Sequence, residues 1–181
     1  MRNRQGFTLI ELLVVVSIIG LISSIVFSSL STARAKSRDS KRKQDLVQLR
    51  NAVELYYAQN GAYPIPPASS AIWRGTFCGY GNASTNWIPG LTDSSRGGPF
   101  IAALPKDPKP LSSCLPGHGY LYRSDGKDYQ LLAWNSVESE IVSPTHSLQR
   151  RRPPCALDTW GGNVGERTYA LQTEGAAKAC W

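Results

Sequence analysis

Charge is missing from Leu12 through Ala33, 22 consecutive residues in a chain of 181. As a helix rising ~1.5 Å per residue, such a run covers roughly 33 Å, enough for a bilayer hydrocarbon core of ~30 Å. Cysteine is absent before Cys78. The four that follow, Cys78, Cys114, Cys155 and Cys180, include no CxxC and no close pair, which excludes a zinc knuckle. Histidine is scarce. His118 lies four residues after Cys114 and His146 is isolated, so neither has a second ligand at metal spacing, and both read as solvent-exposed loop histidines. No phosphate-cradling glycine loop and no nucleophile motif occur. The sequence offers no active site, which argues against an enzyme, and gives no reason to expect a metal or cofactor.

Acidic residues are the minority, 13 against 20 basic ones, for a net charge of +7. The excess is uneven. Arg2 and Arg4 precede the apolar run, and "RAKSRDSKRK" (34–43), just after it, holds six basic residues and Asp39. From Gly61 onward the chain has 11 basic and 9 acidic residues. A uniformly basic nucleic-acid-binding domain does not have this distribution. "QRRRPP" (149–154), with Arg150, Arg151 and Arg152, could touch DNA phosphates, but such a run is more simply a solvated loop.

The stretch "RQGFTLIELLVVVSIIGLI" places one carboxylate, Glu11, at the head of the apolar segment. Three readings compete. A secretory signal peptide would take Arg2 and Arg4 as its basic start and "ARA" (33–35) as its cleavage site, releasing a soluble protein after Ala35. Its hydrophobic region would be ~7–15 residues, shorter than this one, and would not begin with an acid. A permanent membrane anchor explains the length and leaves Glu11 unexplained, although an intramembrane carboxylate usually has a partner. Cleavage between Gly6 and Phe7 supplies one. It creates an α-amino group at Phe7, with Glu11 as the fifth residue, one helical turn away. Ammonium and carboxylate can then pair within a chain or between stacked neighbours. Losing either member strands the other charge at a cost of about 3–5 kcal/mol, so the pair can set the axial register of identical helices.

Beyond the basic cluster the helix continues. Leu46, Leu49, Val53 and Tyr56 or Tyr57 recur at three- and four-residue spacing and form one core-packing stripe. Asn60-Gly61 and then Pro64 stop it. One helix is thus expected over Phe7–Asn60, apolar all round in its first half and amphipathic in its second. From Ala62 to about Pro116 glycine, proline, serine and asparagine signal loops, which Trp73, Phe77, Trp87 and Phe100 would pin to the helix rather than form a carbohydrate surface. "GYLYRS" and "KDYQLLAW" flank Asp125-Gly126 and predict a hairpin over 119–134 with a two-residue type I′ turn. Tyr120 and Tyr122 alternate on one strand; Tyr129, Leu131 and Ala133 do so on the other. A further strand is expected in "RTYALQT" (167–173). The fold class is therefore α+β, a long N-terminal helix packed on a small antiparallel sheet. An even number of widely spaced cysteines behind an apolar N-terminus suggests an exported head with two disulfides, rather than four free buried thiols. Three pairings are open; Cys78 with Cys114 and Cys155 with Cys180 close the most local loops.

Gly6 followed by "FTLIELLVVVSIIGLI" resembles the processing motif of type IV prepilins and of the pseudopilins of type II secretion. The "GAYP" after the helix, "LPKDP" (104–108) and the hairpin extend the likeness, firmly over residues 1–64 and more loosely to about 134. The resemblance implies a leader, 1–6, that a prepilin peptidase cuts after Gly6, with methylation of the new amino group of Phe7. It implies a membrane and filament-core helix (7–33), an amphipathic continuation (34–60) and a disulfide-stapled head (61–181). Partners would be membrane lipid before assembly, then identical or related pilin subunits, with an assembly ATPase and an inner-membrane platform protein.

The head would face outward from the inner membrane and end in an extracellular filament. A literal count of positive charges disagrees, because 34–43 outweighs Arg2 and Arg4. That cluster could sit at anionic headgroups, at roughly 1 kcal/mol per charge, pair with acids of neighbouring subunits, or be a solvated face. Length and the two bridges favour a pilus component; a secretion pseudopilin, or a minor pilin acting in adhesion or DNA uptake, is the alternative. The sequence departs from the family twice. Many pilins kink the helix with proline, where this chain has only the serines of "SSIVFSSLS" (23–31). Major pseudopilins often carry calcium in a C-terminal loop; no equivalent is evident, and Asp125 and Asp128 read as turn and strand-edge residues.

Overall fold

The computed structural model describes residues 7–66, 74–75, 86–109, 118–143, 145–148 and 167–175. The chain divides into two compact units, Met1–Ser37 and Arg38–Trp181. Helix α1 (Leu9–Asn60) begins in the first and ends in the second.

In the first unit the helix exposes its apolar side chains on every face, from Leu9 (88 % exposed) through Phe27 (70 %) to Leu30. A segment so rich in Val and Ile has only middling helix propensity in water. In lipid the helix is favoured because it satisfies every backbone group internally. The serines do not interrupt it. The hydroxyls of Ser17, Ser24, Ser29 and Ser31 donate to the carbonyls of Leu13, Leu21, Val26 and Ser28 at 2.8–2.9 Å, so these four are satisfied within the helix. The helix is long and apolar enough to cross a membrane.

In the second unit α1 buries Leu46, Leu49, Ala52, Val53 and Tyr56, the expected stripe. It stops at Gly61, whose φ of +73° is open to glycine and whose N–H donates to the Tyr57 carbonyl at 2.8 Å. Four antiparallel strands follow in the order β1-β2-β3-β4: β1 (Arg74–Gly75), β2 (Gly119–Ser124), β3 (Tyr129–Trp134) and β4 (Tyr169–Gln172). Alternation sends Tyr120, Tyr122, Tyr129, Leu131, Ala133 and Tyr169 into the cluster that contains the helix stripe. Leu121, Leu132 and Ala170 form a smaller cluster with Trp134.

Two expectations change. The hairpin loop is four residues long, since Ser124 pairs with Tyr129. A type I′ turn needs positive φ at both central residues, and in this loop only Gly126 has it. The Asp125 carboxylate instead accepts the N–H groups of Lys127 (2.9 Å) and Asp128 (2.8 Å), an Asx arrangement that widens the turn. The second change is β1, inside a segment expected to be loop. Gly75 permits it, because a Cβ there would lie 2.0 Å from the Tyr120 carbonyl oxygen. Trp87 stacks on Tyr120 and Phe100 meets Tyr56 edge-on, as expected of loop anchors; Trp73 and Phe77 lie outside the described residues.

Candidate functional site

The amino end of α1 is built by a reciprocal cap. Thr8 is the N-cap: its hydroxyl accepts the N–H of Glu11 at 3.2 Å. Glu11 reaches back, and its Oε2 accepts the Thr8 N–H at 2.8 Å and the Thr8 hydroxyl at 2.7 Å. This is a capping box, which satisfies two of the helix's orphan donors. It places the carboxylate on the N–H of the residue that directly follows Phe7. Phe7 is 89 % exposed. Gly6, the other residue of the expected cleavage site, lies outside the described residues.

The second feature occupies the head. Arg42 has no exposure at all, and a buried guanidinium needs full compensation. Three carboxylates from three segments provide it. Asp39, one turn earlier on α1, accepts from Nη1 at 2.7 Å. Asp107, in the loop containing "LPKDP", takes Nε at 3.0 Å and Nη2 at 2.8 Å in a bidentate fork. Glu138, in the loop after β3, accepts from Nη1 at 2.9 Å. Arg38 adds a second fork to Glu138, at 2.8 and 2.7 Å. Asp39 also accepts the backbone N–H groups of Glu138 and Ser139 and the Ser139 hydroxyl, so the loop is tied to the helix by its main chain as well. Burial works against the charge of Arg42, yet the hydrogen bonds of Asp107, Glu138 and Asp39 outweigh it and raise its pKa.

Further along the helix, Asp45 accepts the buried Tyr120 hydroxyl at 2.7 Å, and Glu54 accepts both Tyr129 (2.9 Å) and Tyr63 (3.1 Å). Burial, then Glu54, pushes the Tyr63 phenol up to about 12. Lys43 pairs with Glu140 at 2.6 Å and lies over the Tyr169 ring, whose hydroxyl also bonds Glu140. Lys43, then the Tyr169 hydroxyl, lowers the pKa of Glu140.

A pH prediction follows from Glu138. The Arg38 hydrogen bonds first, against the cost of burial, and then Arg42 lower its pKa from the ordinary 4.5 to about 2. A carboxyl whose folded pKa is depressed contributes stability above its unfolded value and loses it as pH falls through the folded one. Unfolding free energies of the protein should therefore decline between about pH 4.5 and 2, as measured by denaturant titration at stepped pH, and Glu138→Gln should flatten that decline. A wild-type profile no steeper than that of the glutamine variant would contradict the assignment.

The basic cluster therefore has partners that the sequence did not disclose. Arg38, Arg42 and Lys43 pair with acids of their own head. His146 also departs from expectation. It is half-buried, stacked on Tyr169, with Nε2 at 3.7 Å from Glu140. Cys78, Cys114, Cys155, Cys180 and Arg150–Arg152 lie outside the described residues.

Residues 1–27 match the family model of the prokaryotic N-terminal methylation motif. The chain is 33 % identical over 126 residues to the type II secretion system core protein G of Vibrio cholerae, covering 70 % of this chain and 75 % of that protein. It is 38 % identical over 133 residues to the protein of the same name from Klebsiella pneumoniae, covering 74 % and 77 %. A shorter similarity, 36 % over 63 residues, covers 35 % of this chain and 48 % of the type IV wide pilus major component PilA4 of Thermus thermophilus. No solved structure gives a significant match.

Proposed function

Because the chain belongs to the family of type IV pilins and type II secretion pseudopilins, we propose that it is a structural subunit of a pilus-like filament, made as a membrane prepilin. Residues 1–6 form the leader, the segment 7–33 holds the precursor in the inner membrane, and the head faces outward. A prepilin peptidase cuts between Gly6 and Phe7 and the new amino group is methylated. An assembly ATPase and a platform protein then move the subunit from lipid into the filament, because the chain has no energy source of its own. Transfer exchanges lipid contacts for protein contacts, so hydrophobicity alone provides little net drive; register and head contacts set the geometry. Disulfides among the four cysteines would staple the head once it reaches an oxidising compartment.

The observation that carries this reading is the all-round apolar segment 7–33, entered by Gly6-Phe7, whose only charged residue is Glu11, the fifth of the product. The test is a mass measurement on the protein recovered from membranes of its host. The expected amino end is Phe7 carrying one added methyl group. A product starting at Lys36, or one retaining Met1–Gly6, removes the reading.

The relatives matched over three quarters of their length favour the secretion pseudopilus as the filament, against the pilus suggested by length and cysteine number. On this reading, deletion of the gene abolishes release of secreted enzymes and leaves surface pili in place. Loss of pili with normal secretion points instead to a pilus subunit.

A further inference from the structure

We propose that Arg42 is a built-in cation of the head, holding the start of the loop after β3 against α1 as a bound divalent ion would, so that the cluster of Asp39, Asp107 and Glu138 neither takes up calcium nor depends on it. Asp39, Asp107 and Glu138 come from a helix and two loops and meet at one point. Carboxylates gathered at one point are the kind of oxygen set that a hard cation with six to eight ligands draws on. Here the centre is a guanidinium with no exposure to solvent.

The donor set does not fit an added ion. Both oxygens of Asp107 face Arg42, and one of them also accepts the Lys109 N–H at 2.8 Å. Both oxygens of Glu138 face Arg38, one of them shared with Arg42 and the other 3.7 Å from Lys109. Both oxygens of Asp39 are held, one by Arg42 and the other by the N–H and hydroxyl of Ser139. Three cations, Arg38, Arg42 and Lys109, balance three anions, so the cluster is neutral. An arriving divalent ion would meet neutralised carboxylates and three like charges. Among the described residues no group of three His, Cys, Asp or Glu side chains is arranged to hold a metal. A covalently attached cation also works at any calcium concentration, whereas a bound ion stabilises only in proportion to its occupancy.

The experiment uses the full chain in detergent micelles, with thermal unfolding followed by near-ultraviolet circular dichroism in EDTA and in millimolar calcium chloride. Wild-type protein should have one midpoint in both. Arg42→Ala should melt lower in EDTA, and calcium should raise its midpoint by several degrees, because three carboxylates then surround a vacated space with only Arg38 and Lys109, at its edge, to balance them. A calcium-dependent rise in the wild type overturns the proposal. So does an Arg42→Ala protein that melts like the wild type, or one that melts lower and ignores calcium. Should Arg42→Ala fail to fold in either buffer, Arg42→Lys decides. It keeps the charge and loses the forks, so it should melt lower with no calcium response, and a calcium response there overturns the proposal.

Discussion

Glu11→Ala and Glu11→Gln should both be cut and methylated normally, and both should be nearly missing from filaments. The two variants separate the roles that the carboxylate can play. As part of the capping box, Glu11 satisfies the Thr8 N–H, a contribution of about 1 kcal/mol that a glutamine at the same position supplies as well. As partner of the amine created at Phe7, it needs its charge. An uncompensated ammonium in a water-free filament core costs about 3–5 kcal/mol, so the second role outweighs the first once cleavage has occurred. The cap and the pair are compatible in sequence. In the proposed precursor Phe7 has no free amine and the carboxylate closes the helix end; the proposed cleavage would give the same carboxylate a new cation next to Thr8. Alanine removes both roles and glutamine only one. The measurement is the ratio of sheared filament protein to cellular subunit, with cleavage read from the mass of the membrane pool. If Glu11→Gln assembles like the wild type while Glu11→Ala does not, capping is the whole of Glu11's contribution and the register argument is lost. If both assemble normally, neither role matters.

The parts of the fold legible in the sequence are those carried by short-range periodicity. The stripe Leu46, Leu49, Val53, Tyr56 recurs at helical spacing, and the tyrosines of β2 and β3 alternate with period two, so helix and hairpin were both visible. The turn between those strands was not, because Asp-Gly suits a two-residue loop and also a wider one in which Asp125 caps two N–H groups. At the amino end Thr8-x-x-Glu11 spells out a capping box, yet the same carboxylate suits an amine at Phe7, and spacing alone does not rank the two. The Arg42 cluster was the deepest omission. Asp39, Arg42, Leu46, Leu49, Val53 and Tyr56 are spaced three, four, three, four and three apart, so the two charged residues stand on the buried face. That spacing was the available signal. It was obscured by the five other cations of 34–43, which give the run the look of a solvated face, and by the partners, which lie 65 and 96 residues away along the chain. Nothing local in "LPKDP" or in "SVESE" announces that Asp107 and Glu138 converge on one guanidinium.

Arg42→Met should be the most damaging single substitution in the described part of the head. Methionine fills much of the same volume with an unbranched apolar chain, so packing is nearly retained and the loss is electrostatic. It leaves Asp39, Asp107 and Glu138 gathered without their central cation, with Arg38 and Lys109 still at one edge. Removing one member of a buried, hydrogen-bonded ion pair costs about 3–5 kcal/mol, a large share of the ~5–15 kcal/mol that holds a typical domain together. For a unit of this size the melting midpoint should fall by roughly 10 °C or more. A double-mutant cycle distinguishes this from simple misfit. Glu138→Gln alone weakens the cluster, but combined with Arg42→Met it removes one of the stranded acids, so the double variant should lose less than the two single losses added, by about 0.5–3 kcal/mol. Strict additivity would mean that Arg42 and Glu138 act separately. A single Arg42→Met variant within about 1 kcal/mol of wild type would mean that the charges of this cluster contribute no more than an exposed surface pair.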